Sequence, residues 1–244
     1  MKTTELIKNA VELKPADLAF ANTCIVLAPH PDDESLGCGG LISLLRQQDK
    51  EVHVIFTTDG SMSHPNSRKY PTGKLIAIRK EEAKQALAML SVSSSCAIFL
   101  DKKDGALPAE NEAGFEHNAD QLHLLLSLLR PDLVLVPYEK DPHRDHRATW
   151  QMLMFAHSHP KPAYRILEYL IWLHERGEND EMPDEESVRF VDITPWQTKK
   201  QEAIQKHISQ TTRLIDDDPQ GFILSPEVLS HFSINREYFL DRNL

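Results

Sequence analysis

Two short segments concentrate the side chains that bind metal ions and move protons. The first, Pro29–Glu34 (PHPDDE), holds one imidazole and three carboxylates, and the second, Asp141–His146 (DPHRDH), holds two of each. Each follows an apolar run, Cys24–Ala28 or Leu133–Pro137, that is typical of a buried strand. Imidazole nitrogens and carboxylate oxygens are ligands that zinc accepts. Two such clusters at the ends of neighbouring strands would converge on one metal ion.

Each segment also has a simpler interpretation. An aspartate near a helix start satisfies free N–H groups and favours the helix dipole, and a charged loop can be only a solvated surface. Capping accounts for one aspartate of Pro29–Glu34 but not for the whole set, and both clusters stand at the same position after an apolar run. The pair therefore favours a metal site over two unrelated loops.

The elements around these segments alternate between strand and helix. Apolar runs predict strands at 24–28, 52–58, 96–100, 133–137, 164–172 and 188–193. Helical spacing predicts helices at 36–45, 75–90, 119–129, after His146 and at 196–207, with a long loop at 59–73 and an exposed connection at 175–186. Such alternation predicts an α/β, Rossmann-like fold with a largely parallel sheet and helices on both faces. Ligands bind such sheets at the carboxyl ends of their strands.

Size and charge limit the function classes. A chain of 244 residues suits one α/β domain over 1–244. Its formal net charge of -10 argues against nucleic acid or an anionic membrane as a partner and favours a neutral small molecule. The three cysteines are spaced too irregularly for a disulfide framework or a thiolate zinc site. No apolar run of about 18 residues occurs, so we expect a soluble, cytoplasmic protein; homo-oligomer formation is left open.

The chain resembles the PIG-L/LmbE-type deacetylases, zinc-dependent N-acetylglucosamine-type hydrolases with a Rossmann-like fold. Ala28–Glu34, followed by the glycine-rich Gly37–Gly40, is similar to the family's first motif, His-Pro-Asp-Asp-Glu, and His143–His146 is similar to its second, His-x-Asp-His. Weaker similarities follow in the family's order at Thr58–Gly60, Arg79–Ala83, Leu100–Asp101 with Asp104–Gly105, and Lys200–Gln210. The resemblance implies removal of an acyl group, in particular acetyl, from the nitrogen of an amino sugar or a related small molecule.

The resemblance also implies a metal site and a base. His30, Asp33 and His146 would bind Zn²⁺, while Asp32 would stay unligated as the general base. Three N/O ligands with a fourth position for water is the open arrangement of catalytic zinc. Iron(II), cobalt and manganese also suit such a ligand set.

Four further residues receive roles from the resemblance. His143, as a protonated imidazole, would stabilise the developing oxyanion, and Asp145 would orient it. Arg79 and Asp104 would bind the sugar, although a surface ion pair and a turn aspartate explain them equally well. Among the other histidines, His207 stands out because it lies in the family-like stretch 200–210.

Three alternatives differ in function class. Gly37–Gly40 could belong to a dinucleotide loop, but the strand-to-helix turn holds His30–Glu34, whose carboxylates would repel a pyrophosphate. A metallohydrolase could act on another bond, such as an N-acyl amino acid amide or a phosphodiester. A non-catalytic metal-binding protein is the third, although a structural site normally closes its coordination with a fourth protein ligand and needs no free base.

Overall fold

Strands and helices alternate along the computed structural model, which describes residues 9–158, 164–172 and 188–242. The strands are β1 (Val11–Glu12), β2 (Thr23–Ala28), β3 (Glu51–Thr58), β4 (Ala97–Lys102), β5 (Leu133–Pro137), β6 (Arg165–Tyr169), β7 (Val188–Asp192) and β8 (Arg236–Arg242). The α-helices are α1 (Asp33–Gln47), α2 (Thr72–Met89), α3 (Phe115–Leu129), α4 (Arg144–His157), α5 (Gln197–Ile204), α6 (Ile208–Thr211) and α7 (Pro226–His231). Short 3₁₀ turns lie at Pro15–Leu18, Ser94–Cys96 and Thr194–Trp196.

The described strands form one sheet in the order β1-β7-β8-β6-β5-β2-β3-β4. Only β8 runs antiparallel to its neighbours, so the prediction of a largely parallel α/β sheet is confirmed. Strands β2 and β5 pair directly, with Val26 opposite Leu135. The segments that follow these two strands therefore meet at the same edge of the sheet, as a shared site requires.

Side chains of β2 point alternately into two hydrophobic clusters. Cys24, Val26 and Ala28 pack in a cluster with residues of α1 and α2. Ile25 and Leu27 pack in a second cluster with residues of α3 and α4. Because successive side chains of a strand face opposite sides, a wholly apolar β2 is the expected sequence for a strand covered by helices on both faces.

The glycines of α1 allow that helix to lie close to its neighbours. A Cβ atom at Gly37 would overlap the ring of Tyr169 on β6, and one at Gly40 would overlap the side chain of Ile193. The Tyr169 hydroxyl is in turn fixed by donating to the carbonyl oxygen of Leu27, 2.7 Å away. Helix packing thus explains the glycine-rich run Gly37–Gly40. This run was the main argument for a dinucleotide-binding loop, so that alternative is no longer needed to explain it.

The C-terminal part of the chain differs most from the predicted elements. The predicted helix at 196–207 is shorter than expected, since α5 ends at Ile204, and β1, α6, α7 and β8 were not predicted from the sequence. Strand β8 carries the buried Glu237. Its carboxylate tolerates burial because it accepts hydrogen bonds from Lys200 Nζ and from the backbone N–H groups of Gly40 and Leu41. The predicted exposed connection at 175–186 lies outside the described residues. Of the helices in the described ranges, none has the length and apolar character that crossing a membrane requires.

Candidate metal centre and active site

The three predicted metal ligands each place one side-chain atom at a corner of a nearly equilateral triangle. His30 Nδ1 lies 3.2 Å from Asp33 Oδ2, and His146 Nε2 lies 3.3 Å from both of these atoms. His30 lies in the short loop after β2, Asp33 begins α1, and His146 lies in the first turn of α4. Tetrahedral zinc with bonds of about 2.0–2.1 Å separates its ligand atoms by about 3.3–3.4 Å. The three side chains therefore fit one small cation.

Carboxylates stand beside the second nitrogen of each histidine in this triangle. His30 Nε2 lies 3.2 Å from Asp104 Oδ1 and 3.4 Å from Asp145 Oδ2. His146 Nδ1 lies 3.3 Å from Asp141 Oδ1. Metal-binding histidines usually have such a partner, which fixes the ring and raises its basicity. Asp141 received no role from the sequence, although its place in the second segment marks it as a neighbour of the site.

Negative charge dominates the pKa values of these histidines. Burial by itself would lower the pKa of His146, but the carboxylates of Asp33 and Asp141 outweigh it and raise the pKa to about 9. Burial opposes a rise in the pKa of His30 as well, and Asp104, Asp145 and Asp33 reverse the effect. The same charge distribution favours a bound cation.

Two wider groups also bring ligand-type atoms within 4.8 Å of one another, namely His30 with His143 and His146, and His30 with Asp104 and Asp145. In each group the outer residues already have protein partners. Asp104 Oδ2 accepts from the Met62 N–H at 2.8 Å, and His143 Nδ1 accepts from the Asp145 N–H at 3.2 Å. Asp33 Oδ2 likewise accepts the His30 N–H at 2.8 Å, but the three atoms of the triangle all lie within 3.3 Å of one another, so the distances favour the triangle as the ligand set.

Asp32 lies beside the triangle in an unusual backbone conformation. Its φ of 154° and ψ of -27° are rare for a residue with a side chain, and such strain is concentrated at functional sites. Its N–H donates to Glu34 Oε2 at 3.0 Å, and its Oδ2 accepts from Arg79 Nη2 at 3.1 Å. Burial raises the pKa of Asp32 to about 6, against the opposing effect of the Arg79 charge. A carboxyl group with such a pKa is suited to accept and return a proton near neutral pH.

Glu34 and His207 form a buried pair, and Glu34 accepts a hydrogen bond from the Asp32 backbone. His207 Nε2 lies 3.0 Å from Glu34 Oε1, and the Ser35 hydroxyl donates to the same oxygen at 2.7 Å. The other oxygen of Glu34 holds the Asp32 N–H. His207, which stood out only by its place in 200–210, is therefore connected to the loop of the site through Glu34.

Arg79 is held mainly by the protein itself. The side chain is only 3% exposed, and it donates to Asp32 as well as to the carbonyl oxygens of Pro31 at 2.9 Å and Gly60 at 2.8 Å. Its Nε is buried and has no hydrogen-bond partner within the described ranges, and the residue borders the cavity described below. These contacts result from the fold, which brings the middle of α2 against the loop after β2, and the sugar-binding role of Arg79 stays a prediction.

Asp104 and Asp145 both contact groups that the sequence did not assign to them. Asp104 faces His30 through one oxygen and the Met62 N–H through the other, so it is placed to orient an imidazole. It also borders the cavity described below, and its sugar-binding role stays a prediction. The Asp145 carboxylate accepts from the N–H groups of Gly105 at 2.7 Å and Leu107 at 3.1 Å. Asp145 Oδ2 also lies 3.4 Å from His30 Nε2, whereas His143 Nδ1 is contacted by the Asp145 backbone N–H. The role of Asp145 in orienting His143 stays a prediction.

The surroundings of His143 favour the neutral imidazole over the protonated form that the family resemblance implies. Its Nδ1 accepts the Asp145 N–H, so the proton of the neutral ring is on Nε2. Burial, followed by the charges of His30 and His146, lowers the pKa of His143 to about 4. The ring borders the cavity described next, where its N–H can reach a ligand.

A cavity of about 220 Å³ opens over these residues. Its polar lining is His30, Asp32, Asp33, Ser63, Arg79, Asp104, Gly105, His143 and Gln210, and its apolar lining is Leu36, Met62, Trp172, Phe222 and Leu224. Trp172 and Phe222 meet edge to face with ring centroids 5.9 Å apart. Trp172 and Phe222 therefore form an aromatic part of the cavity wall.

The C-terminal wall of the cavity is attached to the long loop after β3. The Phe222 N–H donates to the Ser63 carbonyl oxygen at 2.6 Å. Asp217 accepts from the Ser67 hydroxyl at 2.6 Å and from the N–H groups of Arg68 and Lys69 at 2.8 and 2.9 Å. These bonds join two segments that are about 150 residues apart, and sequence periodicity contains no signal for them.

Comparisons with known proteins agree with this geometry. A family model described as PIG-L, GlcNAc-PI de-N-acetylase, matches residues 25–157, which is more than half of the chain and includes both metal-type segments. The chain is 29% identical over 135 residues to the probable N-acetyl-alpha-D-glucosaminyl L-malate deacetylase 2 of Bacillus subtilis (strain 168), covering 54% of this chain and 59% of that protein. It is 33% identical over 129 residues to the diacetylchitobiose deacetylase of Thermococcus kodakarensis, covering 50% of this chain and 44% of that protein.

The fold is also similar to a solved structure. The N,N'-diacetylchitobiose deacetylase from Pyrococcus horikoshii superimposes with a TM-score of 0.69 at 24% identity, covering 92% of this chain and 85% of that one. At 24% identity this similarity supports the fold and not a shared activity. In sequence, the chain spans about half the length of the two curated relatives named above.

Proposed function

We propose, since this chain belongs to the PIG-L family, that it is a metal-dependent hydrolase which removes the acetyl group from the nitrogen of a small amino sugar. The observation that carries the proposal is the triangle of His30, Asp33 and His146 with Asp32 beside it. Asp32 is bound by Arg79 and is not a corner of the triangle, so a base is available next to a three-ligand site. The names of the relatives, which are deacetylases of N-acetylated sugars, support the substrate class.

In this proposal His30, Asp33 and His146 hold Zn²⁺, and the carboxylates of Asp104, Asp145 and Asp141 keep the two imidazoles in position. Zinc bound by such a set supplies Lewis acidity and a water that ionises near neutral pH. Iron(II), cobalt or manganese would suit the same N/O donors.

The protein's own groups move the protons. Asp32 takes a proton from the water that attacks the acyl carbon, and returns it to the nitrogen as the C–N bond breaks. The products are acetic acid and an amine, which become acetate and an ammonium group when the acid proton passes to the amine. Arg79 holds the Asp32 carboxylate in place and opposes the rise in its pKa. His143 donates its Nε2–H to the carbonyl oxygen while negative charge develops there.

The test is acetate release from a panel of N-acetyl amino sugars, with N-acetyl amino acids and a phosphodiester as competing substrate classes. The matched variant is Asp32→Asn, which removes the base and keeps the shape. We expect acetate from the sugars, and a decrease in kcat of about two or more powers of ten in Asp32→Asn at unchanged metal content. Turnover of only the other classes would identify a metallohydrolase of another bond. Metal binding without any turnover would leave a non-catalytic metal protein.

A further inference from the structure

Gln210 is a fully buried polar residue on the wall of the cavity. It lies in α6, and its backbone is fixed because its carbonyl oxygen accepts from the Leu224 N–H at 2.8 Å and its N–H donates to the His207 carbonyl oxygen at 2.9 Å. The backbone of this cavity-lining residue is therefore held on both sides.

The contacts of Ser209 fix which end of the Gln210 amide is the nitrogen. The Ser209 hydroxyl donates its only hydrogen to Glu82 Oε2 at 2.6 Å, while the Ser209 N–H donates to Glu82 Oε1 at 2.7 Å. The hydroxyl oxygen can then only accept, and Gln210 Nε2 donates to it at 3.0 Å. The second hydrogen of Nε2 is directed to the Ser63 hydroxyl at 3.3 Å. A flipped amide would bring two acceptors together at Ser209.

The remaining atom, Gln210 Oε1, has no protein partner. It is buried, and no donor within the described ranges of the chain forms a hydrogen bond to it. A buried carbonyl oxygen without a donor is unfavourable, and such atoms are rare in native proteins. Because Gln210 borders the cavity, a ligand that brings an O–H group there would satisfy Oε1.

We propose that Gln210 is a substrate-recognition residue whose Oε1 accepts a hydrogen bond from a ring hydroxyl of the bound amino sugar. The inference rests on the proposed function for its substrate class. Glu82 and Ser209 act on this contact as positioning residues, since they hold the amide nitrogen away from the ligand. The residue thereby selects for a hydroxyl at one ring position.

The experiment combines a variant with substrates that lack single hydroxyls. Gln210→Met has a similar length without the acceptor, and Gln205→Met, at an exposed position just before α6, is the matched control. We measure kcat/KM for an N-acetyl amino sugar that the wild type accepts and for its monodeoxy analogues. We expect Gln210→Met to lower kcat/KM on the parent sugar by about tenfold, and one deoxy analogue to be processed equally by wild type and variant. Gln205→Met should resemble the wild type throughout.

Unchanged kcat/KM in Gln210→Met, or the same loss on the parent and on every deoxy analogue, would overturn the assignment. Gln210→Ala removes the same acceptor and replaces Gln210→Met if methionine prevents folding. If the wild type deacetylates none of the sugars, the proposed function fails by itself. Calorimetric binding of the free amino sugar and its deoxy forms to wild type and variant then tests Gln210 separately, and equal affinities for all of them would reject it.

Discussion

Arg79 Nη2 lies 3.1 Å from Oδ2 of Asp32, and both side chains are buried. A buried charge that loses its partner is strongly unfavourable, so each residue depends on the other. Arg79 also holds the backbone of the same loop through the Pro31 carbonyl oxygen. This relationship connects the residue expected to bind the sugar to the residue expected to move the proton.

Replacing Arg79 should therefore affect the chemical step more than substrate capture. In Arg79→Ala the Asp32 carboxylate loses its fixed position, and we expect kcat to fall by about two powers of ten with KM changed little. Arg79→Lys keeps the charge but cannot span Asp32, Pro31 and Gly60, so it should lie between wild type and Arg79→Ala. Separate kcat and KM values check this, and a raised KM at normal kcat would instead support the role in sugar binding.

His143 and His146 should differ in metal content although they lie three residues apart. His146→Ala removes a corner of the ligand triangle, so metal content and activity should both fall. His143→Ala should keep its metal and lose about 10²-fold in kcat, the scale for one oxyanion donor. Metal analysis and kinetics on the same preparations decide the question, and equal metal loss from both variants would indicate a four-ligand site.

Asp104→Asn should weaken metal binding. Asp104 Oδ1 lies 3.2 Å from His30 Nε2, and partners of this kind contribute about 10–100-fold to metal affinity or activity. Asp145→Asn should act in the same direction, since its carboxylate also faces His30. Asp120→Asn, exposed on α3, is the control. Titration of the metal-free proteins with zinc measures the effect. Normal zinc affinity with a raised KM in Asp104→Asn would instead favour a sugar contact.

Asp217→Asn should destabilise the protein at neutral pH and not in strong acid. The hydrogen bond from Ser67, followed by that from the Lys69 N–H, lowers the pKa of Asp217 to about 2. The folded-state pKa is thus below the unfolded value of about 3.9, so the stabilisation is complete above that value and is lost as the pH falls towards 2. Urea unfolding of wild type and Asp217→Asn at pH 7 and near pH 2.5 should show a difference that shrinks in acid.

The control for Asp217 is Asp216→Asn, because Asp216 pairs only with the exposed Lys69 side chain and should contribute little. Since Asp217 attaches the loop after β3 to the C-terminal wall, Asp217→Asn should also raise KM. A stability difference that stays constant across the pH range would show that the carboxylate charge is not the cause.

The sequence by itself determined the fold class and the composition of the site. The apolar runs at 24–28 and 133–137, each followed by an imidazole and carboxylate cluster, predicted a largely parallel sheet with the chemistry at its carboxyl edge. The resemblance to the family's first motif implied that His30 and Asp33 act together, and their two side chains do lie 3.2 Å apart at the start of α1. These features are local, so they leave a regular pattern in the sequence.

Only the tertiary structure decided which partners these residues have. Arg79 meets Asp32 across 47 residues, and His207 meets Glu34 across 173. Strand β8 lies inside the sheet although it carries Glu237 and Asp241, because Lys200 and Arg165 neutralise them. Such contacts depend on how distant segments pack, and a buried charge is tolerated only where that packing supplies its partner. The pattern within one segment carries no information about a hydrogen-bond or ion-pair partner on another segment. The sequence therefore predicted the candidate site residues, and only the fold shows which residues they contact.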